Sequence, residues 1–302
     1  MALNIFSNPM NSFVIFLLML LSYSLPNEVL GRSATLPKSD VELIEFALNL
    51  EYLEADYFLN GALGHGLDVV APNLTGGGPP PIGARIAHLG PLVRDVILQF
   101  GLQEVGHLRA IKSTVRGFPR PLLNISSETF GQIIDNAFAF DPYANDINYL
   151  IATYVIPYVG LNGYVGANPL LQSVTAKKLV AGLLAAESGQ DAVVRAMLYE
   201  RRYEIVIPYG VTVAEFTDRI SALRNKLGRD GLKDEGLVVP KELGAEGKVT
   251  GNILSLNKDS LGYPRTPPEI LRIVYATGNE SVPGGFYPKG ANGTIARSYL
   301  EH

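Results

Sequence analysis

The chain has 302 residues, 47% of them hydrophobic and 18% charged, with a formal net charge of -4. That balance excludes a largely disordered chain, and the scattered Lys and Arg leave no basic footprint for nucleic acid. With no cysteine at all, disulfide staples, thiol catalysis and thiolate metal sites are excluded, so the fold must rest on a large core or on a metal held by other side chains.

The N-terminus carries the apolar run Phe13 to Leu21, shorter than the ~20 residues needed to span a bilayer. Polar residues and Gly31-Arg32-Ser33-Ala34 follow. Residues 1–31 are therefore expected to be a secretory signal peptide cut near Leu30 to Ala34, with an uncleaved anchor as the competing reading because no Lys or Arg precedes the run. Asn-x-Ser/Thr acceptors at Asn73, Asn124, Asn279 and Asn292 agree with export to the extracellular space or the vacuole, and N-glycans are expected at those sites. No stable membrane insertion is expected once the leader is gone.

A first helix is predicted from about Val41 to Gly61, with Ser39 or Asp40 as its N-cap and Leu43, Phe46, Ala47, Leu50, Leu53 and Tyr57 recurring at helical spacing. Glu51 and Glu54 fall within or beside that stripe; with Glu42 and Glu45 they equally fit an ordinary solvated face. Gly61 to Gly90 contains Gly76-Gly77-Gly78-Pro79-Pro80-Pro81, which supports neither helix nor strand and reads as a long connection.

The second helix spans Pro91 to Arg116. Inside it Glu104 and His107 stand three apart, so both aim from one face at a single point where a metal could sit. The spacing alone is common on solvated helices. Here Val93, Ile97, Phe100, Gly101, Leu108 and Ile111 make that face continuous with an apolar stripe, and a carboxylate or imidazole buried there needs a partner.

Ser126 to Phe140 reads as a shorter helical connector. From Asn145 a very apolar stretch runs to Val159 and is interrupted by Pro157, which predicts a kinked, buried third helix that contributes Tyr154, Tyr158 and Tyr164 but no carboxylate. A membrane span is set aside because Gly160 to Pro169 breaks the run with Gly and Asn. Val174 to Arg202 is the clearest helix, and Glu187-Ser188-Gly189-Gln190 repeats the spacing of Glu104 to His107. Thr212 and Glu215 suggest a capping box opening one more helix to about Lys226. Residues 36–227 are thus read as a helical bundle. Residues 228–302 are read as a loop-rich extension with one short helix near Pro268 to Ala276 and no strand alternation.

The segments Leu50 to Tyr57, Gln103 to His107, Pro157 to Ala167, Glu187 to Asp191 and Gly285 to Gly290 together resemble the plant desiccation-related proteins of the ferritin-like superfamily, over nearly the whole mature chain. The resemblance implies an all-α, ferritin-like antiparallel four-helix bundle with a kinked third helix and an irregular C-terminal extension. It also implies a signal peptide and accumulation in water-stressed tissue, with no firmly established reaction. Carried over residue by residue, it makes Glu51 or Glu54 the metal ligand of the first helix, Glu104 and His107 those of the second, and Glu187 that of the fourth.

Two departures limit that ligand set. Gln190 stands where a second His would ligate, and a neutral amide is a poor ligand for Fe or Mn; no Glu occurs near Tyr158 to Leu161. What remains fits one divalent ion, Fe, Mn or Zn, and fits a metal-free site equally. Three functions follow. One is a metal-binding bundle, stress-protective or acting on oxygen species, with an open coordination position beside Tyr154 or Tyr158. Another is a protective or structural protein whose acids are a relic satisfied by Arg94, Arg195, Gln190 or water. The third is a metal-independent enzyme using Glu104, His107 or Glu187 as acid and base. Glycans and the long extension would obstruct a cage, so a monomer or dimer is expected.

Overall fold

The two ends of the first rod show how the bundle is registered. Near its start Glu45 accepts a hydrogen bond from the Gly117 N–H, and near its end Arg94 donates to the Ala62 carbonyl at 2.7 Å. The two helices involved, α1 (Lys38–Leu63) and α3 (Pro91–Thr114), therefore run antiparallel. Gly101 lets them touch, because a Cβ there would lie 3.0 Å from the Leu59 side chain. The computed structural model describes residues 36–134 and 140–300; the expected signal peptide lies outside the described residues.

The third rod is broken as expected. Pro157 lacks the N–H that would continue the helix, so α5 (Asp146–Val155) stops and α6 (Pro157–Ala167) starts on either side of Ile156. The fourth rod is α7 (Val174–Glu200), opened by Ser173, whose side chain accepts from the Ala176 N–H. Tyr57 and Tyr149 stack with ring centroids 4.7 Å apart, and Tyr164 meets Glu51, which sets α5 and α6 antiparallel to α1. Arg195 reaches Tyr154 of α5 while Glu187 lies by Gly160 of α6, and Gln190 reaches Glu104 while Glu187 lies by His107, which sets α7 antiparallel to the third rod and to α3. Because α3 and the third rod both run antiparallel to α1, they run parallel to each other, and joining them takes a long crossover; the chain between Val115 and Asn145 makes it and carries α4 (Ser127–Ile134).

The stretch Asp146–Leu170 is long and apolar enough to cross a membrane by length and composition, yet 72% of its most apolar window is buried inside the protein. The helix runs on through its glycines, and burial against the other rods marks it as the buried third helix expected from the sequence. Gly163 and Gly166 admit the segment Arg265 to Ile270, since a Cβ at Gly166 would lie 2.3 Å from the Arg265 carbonyl oxygen.

Several local expectations change. Neither Ser39 nor Asp40 caps α1, which begins behind Pro37 with no side-chain cap. Asp40 is spent across the bundle, accepting from the Gln172 and Ser173 N–H groups at 2.9 and 2.8 Å. The Gly61 to Gly90 connection holds a short helix, α2 (Leu67–Val70). Its Gly-Pro run is pinned by buried Arg120, which bonds Asp56, Asp68 and the Pro79 carbonyl. A two-stranded hairpin, β1 (Ile205–Val206) with β2 (Val211–Thr212), precedes α8 (Val213–Gly228); two-residue strands are too short to show alternation in sequence.

The C-terminal segment holds α9 (Pro267–Val274), opened by a Thr266/Glu269 capping box, and α10 (Thr294–Ser298). It closes over the first rod. Tyr287 donates to the Asn49 carbonyl at 2.8 Å, and Asn49 and Asn292 exchange two bonds at 2.7 and 2.9 Å. With α3 on one side and this cover on another, Tyr52, Leu53, Ala55, Tyr57, Phe58 and Leu59 of α1 are fully enclosed. A helix apolar on nearly every face is one that is buried on nearly every face.

Candidate metal centre

Enclosure of α1 draws two of its four glutamates inside. Glu51 and Glu54 are both buried, as are Glu104 on α3 and Glu187 on α7, while His107 keeps a partly exposed edge. One ligand atom each from Glu51, Glu104, His107 and Glu187 lies within 4.8 Å of all the others. Nδ1 of His107 is 3.0 Å from Glu51 Oε2, 3.0 Å from Glu104 Oε2 and 3.7 Å from Glu187 Oε1. Three rods thus aim three carboxylates at one imidazole nitrogen.

Glu54 stands one turn beyond Glu51, on the Glu187 side. Gly160 of α6 packs against both acids: a Cβ built on it would lie at contact distance, 3.4 Å from Glu54 Oε1 and 3.6 Å from Glu187 Oε2. The broken third rod contributes Tyr164, whose hydroxyl donates to Glu51 Oε1. Tyr154 and Tyr158, expected beside the site, lie elsewhere: Tyr154 bonds Ser221 and Arg195, and Tyr158 donates to the Ser255 carbonyl. They point away because α5 and the first turn of α6 present those positions to α8 and the C-terminal segment. Tyr164 lies two turns further along, where α6 passes Glu51.

Of the partners anticipated for a metal-free cluster, Gln190 alone is in place, donating 2.6 Å to Glu104 Oε1 and 3.1 Å to Gln103. Arg94 serves the carbonyls of Ala62, Ala87 and Leu89, and Arg195 those of Ile253, Glu235, Gly236 and Asn252.

Charge in this dry space is distributed unevenly. Burial works against ionising Glu51, but the hydrogen bond and charge of His107 outweigh it and hold its carboxyl below the usual range. Burial, then the charge of Glu51, pushes Glu104 up to about 8. Burial and the surrounding acids raise Glu54 and Glu187 well above a normal carboxyl. Burial opposes the imidazolium of His107, yet its bonds to Glu104 and Glu51 raise it to about 11. The metal-free cluster at neutral pH is therefore one ion pair, Glu51 with His107, among three protonated acids.

Those protons do not satisfy every atom. Both oxygens of Glu54 and Oε2 of Glu187 are buried without a hydrogen-bond partner of ordinary geometry among the described residues, and the only relief is a proton shared between the two acids. Unpartnered buried oxygens are costly unless something positive meets them. Carboxylate oxygens with one imidazole are also the donors that Mn, Fe and Zn accept. The residues present fit a divalent ion.

Rods meeting in this register around acids from three of them define a ferritin-like carboxylate bundle. The chain belongs to the ferritin-like domain family, which its residues 39–200 match, among the desiccation-related proteins of plants. It is 58% identical over 269 residues to a ferritin-like catalase of Nesocodon mauritianus, Nec2, covering 87% of this chain and 86% of that protein. It is equally 58% identical over 264 residues to the desiccation-related protein PCC13-62 of Craterostigma plantagineum, covering 85% of this chain and 84% of that one. No solved structure matches the chain.

Proposed function

We propose that the protein binds a divalent transition-metal ion at this centre and disproportionates hydrogen peroxide, as an exported protein of water-stressed tissue. The observation that carries the metal is the convergence of Glu51, Glu104, His107 and Glu187, one ligand atom of each within 4.8 Å of the others, beside buried oxygens of Glu54 and Glu187 that lack a partner of ordinary geometry. The direction toward peroxide comes from the relative named a ferritin-like catalase. Glu51, Glu104, His107 and Glu187 would hold the ion. When bound, a redox-active Mn or Fe ion would supply the electron transfers that convert two peroxides to water and dioxygen.

The chain's own residues do the rest. Tyr164 and Gln190 fix the orientations of Glu51 and Glu104 by hydrogen bonds to the oxygens turned away from His107. Glu54 lies outside the four-ligand group with its carboxyl beside Glu187, where it can take up a proton and return it. Phe46, Leu50 and Val180, all buried, line the mostly apolar pocket between α1 and α6.

The test is elemental analysis of protein purified from a secreting host, together with oxygen evolution from peroxide. Close to one or more equivalents of Mn or Fe, with oxygen evolution abolished by chelation and by Glu104→Ala, is the expected result. Stoichiometric metal without oxygen evolution would reject the reaction and keep the site. Absence of stoichiometric metal, with unfolding unchanged by chelator, would return the cluster to a protective, metal-free role. One observation favours that second reading: the Glu51/His107 pair, Tyr164 and Gln190 hold most of the cluster with no ion.

A further inference from the structure

The centre is approached from two sides of different width. On one, His107 floors a wide, mostly apolar cleft lined by Val174, Thr175, Lys178, Leu179 and Leu183. Its Nδ1 faces the carboxylates, so the remainder of the ring forms that floor. On the other side, between α1, α6 and the C-terminal segment, lies a narrow pocket lined by Leu43, Ala47, Leu50, Gly160, Gly163 and Tyr164.

The narrow pocket runs inward from the surface to Gly160, which packs against two of the acids. At its mouth Leu170 is 61% exposed, and Leu43, Ala47 and Ala167 are half-buried. At its inner end is Gly160, with no side chain between the pocket and the oxygens of Glu54 and Glu187. The Tyr164 hydroxyl is already committed to Glu51, and the Thr266 hydroxyl to Glu269. The Arg265 backbone closes on Gly166, and its guanidinium is drawn to Asn225 and Glu269. A water needs two to four polar partners to settle in a cavity, and this lining supplies too few. Its free volume is about 60 Å³, well under half of the roughly 150 Å³ that admits a benzene ring. Size excludes an aromatic substrate, and a mostly apolar lining of this width suits a diatomic gas.

We propose that this pocket is a dioxygen site, through which the gas leaves the centre while peroxide enters on the His107 side. The direction of travel rests on the proposed peroxide reaction; the affinity for a small apolar gas does not. Leu43 and Ala47 border the outer half and touch none of the cluster residues' hydrogen bonds, so the pocket can be filled without disturbing the ligands.

Xenon is the probe, applied to the full mature protein by pressurising crystals or by xenon NMR. One xenon is expected against Leu50, Gly163 and Tyr164, and it should disappear in Ala47→Phe with metal content and melting temperature retained. Leu43→Phe serves if Ala47→Phe does not fold. In the oxygen-evolution assay the filled variant should lose at least severalfold in turnover at unchanged metal content. No xenon in this pocket overturns the gas site. Xenon bound, with turnover of the filled variant unchanged, overturns the passage. Xenon bound in a protein that evolves no oxygen overturns the peroxide reaction and the passage together, and supports the gas site alone.

Discussion

The Gln190 amide donates to Glu104 Oε1 at 2.6 Å, from the position on α7 that mirrors His107 on α3: each stands one turn after a glutamate of the cluster. The mirror image is geometric, not chemical. An imidazole at this place would offer a nitrogen lone pair to an ion, whereas the amide offers N–H to a carboxylate and turns its other oxygen, Glu104 Oε2, toward His107.

Gln190 is on this account a positioning residue for Glu104. Gln190→Ala should leave helix content unchanged and weaken metal binding by about 10- to 100-fold, the range in which removal of a ligand's hydrogen-bond partner falls. Isothermal titration of the chelated protein with Mn(II) measures it. Unchanged affinity would mean that Glu104 is held by α3 alone.

Much of this was legible beforehand, and the boundary of what was legible has a physical cause. Helical spacing in Val93, Ile97, Phe100 and Leu108 placed Glu104 and His107 on a core-facing stripe, and there they are. The same periodicity could not choose between Glu51 and Glu54, because α1 is buried on nearly every face and both qualify. Tyr164 was noted among the third-helix tyrosines, but its contact with Glu51 depends on the phase of α6 after the break at Ile156, which a proline announces without setting. Asp40 looked like a local cap because caps are read from neighbours in sequence. Its partners, Gln172 and Ser173, are more than a hundred residues away.

Glu54 separates function from stability. Its acid has no good partner in the metal-free protein, so Glu54→Leu should raise metal-free stability by about 1–3 kcal/mol, as replacement of unsatisfied buried polar groups by apolar ones often does. Glu51→Gln, in contrast, should abolish stoichiometric metal. Urea unfolding with chelator and elemental analysis give the two readouts. A destabilised Glu54→Leu protein would show that the proton shared with Glu187, a water or an ion already satisfies that carboxyl.

Protons and metal compete for the cluster, and the sign of the pH effect follows. Glu104 rises from 4.5 to about 8 on folding, and His107 from 6.5 to about 11. Both bind protons more tightly folded than unfolded, so their contribution to metal-free stability is complete at low pH and is lost as pH climbs, through 8 for Glu104 and towards 11 for His107. Glu54 and Glu187 act in the same direction. Glu51 acts oppositely, its contribution lost below 4.5. Chelated protein should therefore melt highest near pH 5 and lower by pH 8.5, whereas metal-loaded protein should hold or gain, because the cation replaces the departing protons. Melting curves across that range decide it, and a chelated protein more stable at pH 8.5 than at 5.5 would contradict the protonation pattern.

Arg120 anchors the Gly-Pro connection independently of the centre. It is buried with Asp56, 2.8 Å away, and also bonds Asp68 and the Pro79 carbonyl. Removing it strands Asp56, whose carboxyl burial already pushes upward against the pull of the guanidinium. Breaking one side of a buried pair costs about 3–5 kcal/mol, far more than the pair contributes when intact. Arg120→Ala should lose that much in urea unfolding and still bind metal in proportion to its folded fraction, because no cluster residue bonds Arg120 among the described residues. Changing Asp56 to Asn in the same protein should return part of the loss, since the stranded charge would be gone while the Leu67 N–H keeps an acceptor at that position. If the double variant is no more stable than Arg120→Ala alone, the cost lies in the freed connection and not in the buried charge.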